Sequence, residues 1–120
     1  MAKSNSSTYV VDSIEGAWNS ARVEEGGNLG HKIPYKGGYF PVAPVDSFID
    51  IRDRICLELD ALGLQIERSH HEVGTGGQAE INYRFDKLAI SADKVQLFKY
   101  VVKNVAHEAG RTATFMPKPL

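Results

Sequence analysis

From Phe48 onward the apolar residues fall at helical steps: Phe48, Ile51, Ile55, Leu59 and Leu62 recur every three or four positions until Gly63. That period predicts an amphipathic helix, with Asp46 available as its N-cap and Gly63 suited to the left-handed C-terminal position. The pattern then changes. "LQIERSHHEV" and "QAEINYRFD" flank a glycine-rich turn and read as the two strands of a hairpin. From about Ser91 to Ala109 the helical spacing returns in Val95, Phe98, Val102 and Val105, and Gly110 ends it. Two further segments read as short strands. "GYFPVAPV" is confined to an edge by Pro41 and Pro44, and "RTATFMP" alternates Thr112, Thr114 and Met116 against Ala113 and Phe115. The order strand, helix, strand, strand, helix, strand predicts an α+β fold. It is split βαβ-like, a mainly antiparallel sheet with two helices on one face.

What precedes this core has a different texture. Residues 1–8 are small and polar, as in a disordered leader or a cloning scar. Ser13 to Gly38 is rich in glycine, lacks a sustained period and carries the single Trp. It reads as a long loop, and loops of that length in a compact domain are usually functional or disordered. The expected organisation is therefore a leader over 1–8 and one body over 9–120, with a loop region at 9–38 and an α+β core at 39–120.

Composition narrows the function classes. At 120 residues, 42% hydrophobic and 24% charged, the chain is one domain with a modest core. Fourteen basic and fifteen acidic residues leave a net charge of -1, so no global field draws it to nucleic acid or anionic lipid. No apolar run approaches the ~18 residues of a membrane span. The lone cysteine, Cys56, allows no internal disulfide; it is expected to pack in the core of a protein of the reducing cytoplasm.

The candidate chemistry lies in the hairpin. A five-residue turn over 74–78 would set Glu72 directly across from Glu80, with His70 opposite Asn82, and Glu67 and Phe85 facing each other on the other side. Opposed Cβ atoms lie about 4.5–5.5 Å apart, and like charges so placed repel. A hard divalent cation, Mg²⁺ or Mn²⁺, would offset that, since such ions are often held by one or two carboxylates together with waters and phosphates. The plainer reading is also open, because charged residues on a solvated strand face are ordinary and long side chains can diverge into water. His70 and His71 are adjacent and so point to opposite faces. "GTGG" joins two strands instead of opening a helix, so it reads as a turn and not as a phosphate cradle.

Beyond these local signals, "VVDSIEGAWNSARVEEGGNLGHK", "KGGYFPVAPVDS", "HHEVGTGGQAE", "YRFD", "KYVVKNVAHEAG" and "TATFMPKPL" together resemble, in order and spacing, an internal piece of the bacterial type I glutamine synthetases. The resemblance runs from about Tyr9 to Leu120. It implies part of a catalytic domain that makes glutamine from L-glutamate and ammonia through γ-glutamyl phosphate, using ATP and divalent metals (Mg²⁺ or Mn²⁺), in a parent that is a dodecamer of two stacked hexameric rings. Carried over position by position, it makes Glu72 and Glu80 metal ligands. Glu67 falls where the family contacts ATP near its phosphates, Phe85 where it lines ribose and base, and His70 at the active-site histidine. Many members carry a third histidine where this chain has Ser69. The glycine-rich 9–38 region corresponds to the loop that projects into the ring's central channel.

The same resemblance implies that the N-terminal β-grasp domain and the groups after "FMPKPL" are absent, so the isolated piece is expected to be inactive and to self-associate through uncovered edges. Strict alternation puts Glu67 and Glu72 on opposite faces, whereas the family uses both at one site; a β-bulge around "RSHH" would reconcile the two. Alternatives from other classes are a free-standing small-molecule or metal-binding regulatory module of split βαβ fold, and a structural interaction piece.

Overall fold

The computed structural model describes residues 12–19, 30–74 and 76–117. The 1–8 leader and residues 9–11 and 20–29 of the 9–38 loop lie outside the described residues. The elements are a short 3-10 turn at Ala17–Asn19, then α1 at Ile49–Ala61, β1 at Ile66–His71, β2 at Ala79–Tyr83 and α2 at Leu88–Glu108. β1 and β2 form an antiparallel two-stranded sheet.

Both helices pack on one face of this hairpin, as the sequence predicts. Ile55 and Leu59 from α1, Leu64 from the link to β1, and Val101 and Val105 from α2 form the buried centre, and Ile66, Ile81 and Tyr83 reach it from the strands. Leu59 is fully buried, a burial that contributes about 1.5–3 kcal/mol. Of the predicted stripes, Ile51, Ile55, Leu59, Phe98, Val102 and Val105 face this core, whereas Leu62 and Val95 at the stripe ends are exposed.

The helix ends obey local chemistry. After α1, Gly63 takes a positive φ of 87°, its N–H bonds Asp60 O at 2.9 Å, and the Leu64 N–H bonds Leu59 O at 3.0 Å. Those two bonds satisfy carbonyls the helix leaves open and turn Leu64 into the core beside Leu59. α2 ends the same way, with Gly110 at φ 67° bonding His107 O and Arg111 bonding Ala106 O. The starts differ from expectation. Asp46 does not cap α1; Phe48 stands at the N-cap without a side-chain bond, and the Asp46 carboxylate is buried against Arg52. α2 begins three residues before Ser91, which instead bonds back to Asp86 O through its hydroxyl and to Lys87 O through its N–H.

Among the described residues the sheet has two strands where the pattern predicts four. Residues 39–47 turn on themselves: Val45 and Asp46 both donate to Val42 O, Ser47 donates to Val45 O, and the Ala43–Pro44 peptide is cis. Pro41 and Pro44 offer no N–H to a ladder, so only Gly38 and Phe40 reach the end of β1, donating to Val73 O and His71 O. Residues 111–117 find no strand partner among the described residues; Phe115 packs beside Phe98, ring centroids 6.0 Å apart. Cys56 is half-buried on α1, where burial raises its thiol and keeps it unreactive.

The described ends of the glycine-rich region meet each other. Ile33, wholly buried, donates its N–H to Glu15 O at 2.8 Å, and Gly16 bridges to Ile33. The 13–16 and 32–38 segments thereby lie together against the turn of the hairpin.

Candidate metal centre

The observed register is slipped two residues from the expected one. His70 pairs with Glu80, His71 with Ala79 and Arg68 with Asn82. The turn is longer than five residues because Gln78 closes it: its carbonyl accepts from Glu72 N–H and its side-chain oxygen from Gly74 N–H, both at 2.8 Å. A slip of two preserves the faces, so Glu72 and Glu80 still share a side. A bulge is present as well, between Ile66 and Arg68, one residue before "RSHH". It leaves Glu67 as the unpaired extra residue and reverses the parity, so that Ile66 joins Ile81 and Tyr83 in the core while Arg68 and His70 stay with Glu80 and Asn82. Strict alternation therefore no longer governs the relation of Glu67 to Glu72.

On the outer face His70, Glu72 and Glu80 converge, each offering a ligand atom within 4.8 Å of the others. His70 is buried between aromatic rings, 4.5 Å from the Phe40 centroid and 5.5 Å, edge-on, from Tyr39. Its Nδ1 faces His71 O at 3.1 Å and Glu72 Oε1 at 3.4 Å, so that nitrogen carries a proton. The other Glu72 oxygen accepts from Val73 N–H at 3.1 Å. Glu80 is exposed. Its carboxyl is held below the usual range first by the Asn82 amide, which donates at 2.8 Å, and further by nearby His70 and Arg68; desolvation opposes this. Two carboxylates beside one imidazole make a hard, oxygen-dominated donor set, which fits Mg²⁺ or Mn²⁺ better than a soft metal.

Glu67 and Phe85 are not part of this cluster. Glu67 is exposed at the bulge. Phe85, 90% exposed just past β2, stands on the rim of an open recess of about 450 Å³ with Gln65, Arg84, Asp86, Lys87 and Lys94.

The sequence reading passed over the group directly beneath the hairpin. His71 Nε2 lies 2.7 Å from Glu15 Oε2, and both side chains are wholly buried. His71 Nδ1 faces Gly38 O at 2.8 Å and Glu72 O at 2.6 Å. Glu15 Oε1 accepts from both the N–H and the hydroxyl of Ser47. The Glu15 carboxyl and two main-chain carbonyls surround the imidazole, an arrangement that favours a hydrogen on both ring nitrogens. Burial by itself would strip the proton, but the Glu15 carboxylate and the two carbonyls outweigh it and raise the pKa. The opposite parity of the adjacent histidines did point His71 inward; nothing in the local pattern could name Glu15, 56 positions away.

Comparison with known proteins gives this geometry a family context. The family model described as glutamine synthetase, catalytic domain, matches residues 3–120. The chain is 61% identical over 118 residues to a glutamine synthetase of Streptomyces coelicolor, covering 98% of this chain and 25% of that protein. It is 55% identical over 119 residues to one from Salmonella typhimurium, covering 99% and 25%. Its fold is similar to that of Plasmodium falciparum glutamine synthetase, solved by cryo-electron microscopy, with a TM-score of 0.78 and 33% identity over 93% of this chain and 22% of that one. The chain thus spans about a quarter of the length of the curated relatives it matches.

Proposed function

Because the chain belongs to the glutamine synthetase family, through its catalytic domain, we propose that it is the part of a glutamate–ammonia ligase that supplies one face of the active site. The parent reaction joins L-glutamate and ammonia at the expense of ATP, by way of γ-glutamyl phosphate, in a cytoplasmic dodecamer. In this reading residues 9–38 form the loop region that enters the ring channel and 39–120 the α+β core.

Glu72 and Glu80 hold a divalent cation, Mg²⁺ or Mn²⁺, whose bound form supplies positive charge to orient anionic substrate groups. His70, fixed by Phe40 and Tyr39, presents its imidazole to the same space. Glu67 reaches toward the phosphates of ATP, and Phe85 offers a flat apolar surface for ribose and base, with Arg84, Lys87 and Lys94 nearby to attract phosphate. The observation that carries the reading is the convergence of His70, Glu72 and Glu80 within 4.8 Å. Two carboxylates and a histidine cannot perform the reaction alone. Phosphoryl transfer depends on several groups clamping one geometry together, so the isolated piece is inactive.

The experiment is a chimera in which this chain replaces the matching quarter of the Salmonella relative. It should assemble and form glutamine, and Glu72→Gln or Glu80→Gln should abolish that activity in an assembled protein. An assembled chimera whose activity survives both changes would overturn the assignment.

A further inference from the structure

The Glu15–His71 pair lies against the main chain of Glu72, and the bonds around it connect in sequence. A trans peptide is planar, with its C=O and N–H pointing in opposite directions. The peptide joining Glu72 to Val73 is gripped at both ends. Its carbonyl receives His71 Nδ1–H at 2.6 Å, and its N–H donates to Glu72 Oε2 at 3.1 Å. Whatever fixes the carbonyl therefore aims the N–H, and the N–H orients the carboxylate. The remaining Glu72 oxygen then faces His70. His71 is itself fixed from behind by Glu15, and Glu15 by Ser47. Gly38 packs so closely on the same carbonyl that a Cβ there would lie 2.4 Å from Glu72 O and 2.8 Å from the His71 ring.

We infer that His71, anchored by Glu15, is the positioning residue for Glu72: it locks the 72–73 peptide and so holds the Glu72 carboxylate at the angle the cation needs. The inference rests on the reading of Glu72 as a metal ligand. It assigns a function to a histidine that faces away from the site and to a glutamate at the root of the glycine-rich loop. The loop root and the metal hairpin become one unit, because Glu15 belongs to the first and His71 to the second.

The two ring nitrogens separate this role from simple core stability. In His71→Asn the side-chain N–H₂ falls where Nδ1 was and still reaches the Glu72 carbonyl, while the bond to Glu15 is lost. His71→Gln does the reverse, reaching Glu15 and releasing the carbonyl. Mn²⁺ binding to the whole 120-residue chain is followed by the electron paramagnetic resonance of free Mn²⁺, with affinities referred to the folded fraction measured by circular dichroism. His71→Asn should keep the parent affinity within about threefold, and His71→Gln should lose about tenfold or more, the usual cost of removing a group that orients a metal ligand. Glu15→Gln preserves shape and hydrogen bonding with a neutral His71 and should behave like His71→Asn. Arg52→Ala, which breaks a different buried pair, should leave the affinity of the folded protein unchanged.

Equal affinities for the Asn and Gln variants would overturn the inference, whichever variant is the less stable. A second measurement does not use metal. Hydrogen exchange of the Val73 amide should accelerate in His71→Gln and not in His71→Asn, which keeps the bond to the carbonyl; unchanged exchange in the former would also overturn it. If the parent binds no Mn²⁺ at all, the ligand reading of Glu72 fails, and the Val73 amide still decides whether His71 sets the peptide.

Discussion

Asp46 meets Arg52 in a two-pronged pair inside the protein, Oδ2 to Nη2 at 2.5 Å and Oδ1 to Nη1 at 3.2 Å, with neither side chain more than 6% exposed. The pair ties the turn before α1 to the first turn of the helix, which has no side-chain cap of its own. A buried charge left without its partner costs about 3–5 kcal/mol. Arg52→Ala is therefore expected to destabilise the chain by that amount in urea denaturation. Replacing both residues with apolar ones, Asp46→Leu with Arg52→Met, should cost clearly less than the sum of the single changes, since no orphaned charge remains. Additive costs would show that the two groups do not act as a pair.

Gly38 is required for space and not for conformation. Its φ is not positive, yet a Cβ would sit 2.4 Å from a main-chain oxygen that His71 already binds. Gly38→Ala should cost about 1–3 kcal/mol, the range for forcing extra volume into a packed site. Gly63→Ala, where a Cβ would meet nothing but φ is 87°, should cost about 1–2 kcal/mol from backbone strain alone. Backbone amide shifts separate the two. The first should move the resonances of residues 71–73, and the second should leave them in place.

The start of α2 should weaken in acid. Asp86 accepts from Lys94 Nζ at 3.0 Å and from Lys87 N–H at 2.7 Å, and these two donors, Lys94 first, lower its pKa below the usual 3.8. A depressed folded pKa means the unfolded chain binds the proton more readily. Stability from Asp86 is thus fully present above about pH 3.8 and is lost as pH falls through the lower folded value. Asp86→Asn should remove that part of the acid transition. An unchanged acid limb in the variant would show that the contacts are not made in solution.

How far the sequence reached depends on the range of the forces involved. Helical period and glycine stops are local, and they located α1, α2 and the hairpin, including the left-handed position of Gly63 and the stop at Gly110. The register was two residues off because the turn is closed by the side chain of Gln78, a contact that alternation does not encode. The strands expected at 38–45, from its short apolar run, and at 111–117, from its alternation, had no ladder to join among the described residues. The acid pair Glu72 and Glu80 was legible because a shift of two keeps the face. Glu15 was not, since it finds His71 only after the chain has folded back, and Asp46, six residues from Arg52, carried a competing local role as a cap.

Exposed apolar side chains predict self-association. Leu57, Leu62, Leu88 and Tyr100 are each more than half exposed on or beside the two helices, and Phe85 stands clear of the surface. Apolar surface of this kind is covered by other protein in a stable assembly, and an open strand edge adds backbone groups ready to pair. Sedimentation over a rising micromolar series should show a concentration-dependent shift above monomer mass. Leu57→Lys with Leu62→Lys should reverse it. A monomer across the whole series would mean that these side chains are hidden by contacts of the chain with itself.

The last expectation concerns the crowded carboxylates. A cation that binds only the folded chain raises its stability by RT ln(1 + [L]/Kd), about 1.4 kcal/mol at a tenfold excess over Kd. A site with two protein carboxylates open to water belongs with weak hard-ion sites, for which Kd is about 10⁻⁴–10⁻³ M. Millimolar Mn²⁺ should therefore stabilise the parent in urea by about 1 kcal/mol, and Mg²⁺ should do so in the same direction. Glu72→Gln and Glu80→Gln each remove an anionic ligand and should show little of this gain. Glu108→Gln, at the end of α2 and away from the hairpin, should keep all of it. In EDTA Glu72→Gln should be no less stable than the parent, because it relieves the repulsion between Glu72 and Glu80, whereas Glu80→Gln gives up a carboxylate whose pKa the fold lowers and should be slightly less stable. If Glu72→Gln alone is destabilising without metal, the bond from Val73 N–H to its carboxylate contributes more to the hairpin than the repulsion removes, and the carboxylate has a structural role alongside its metal one.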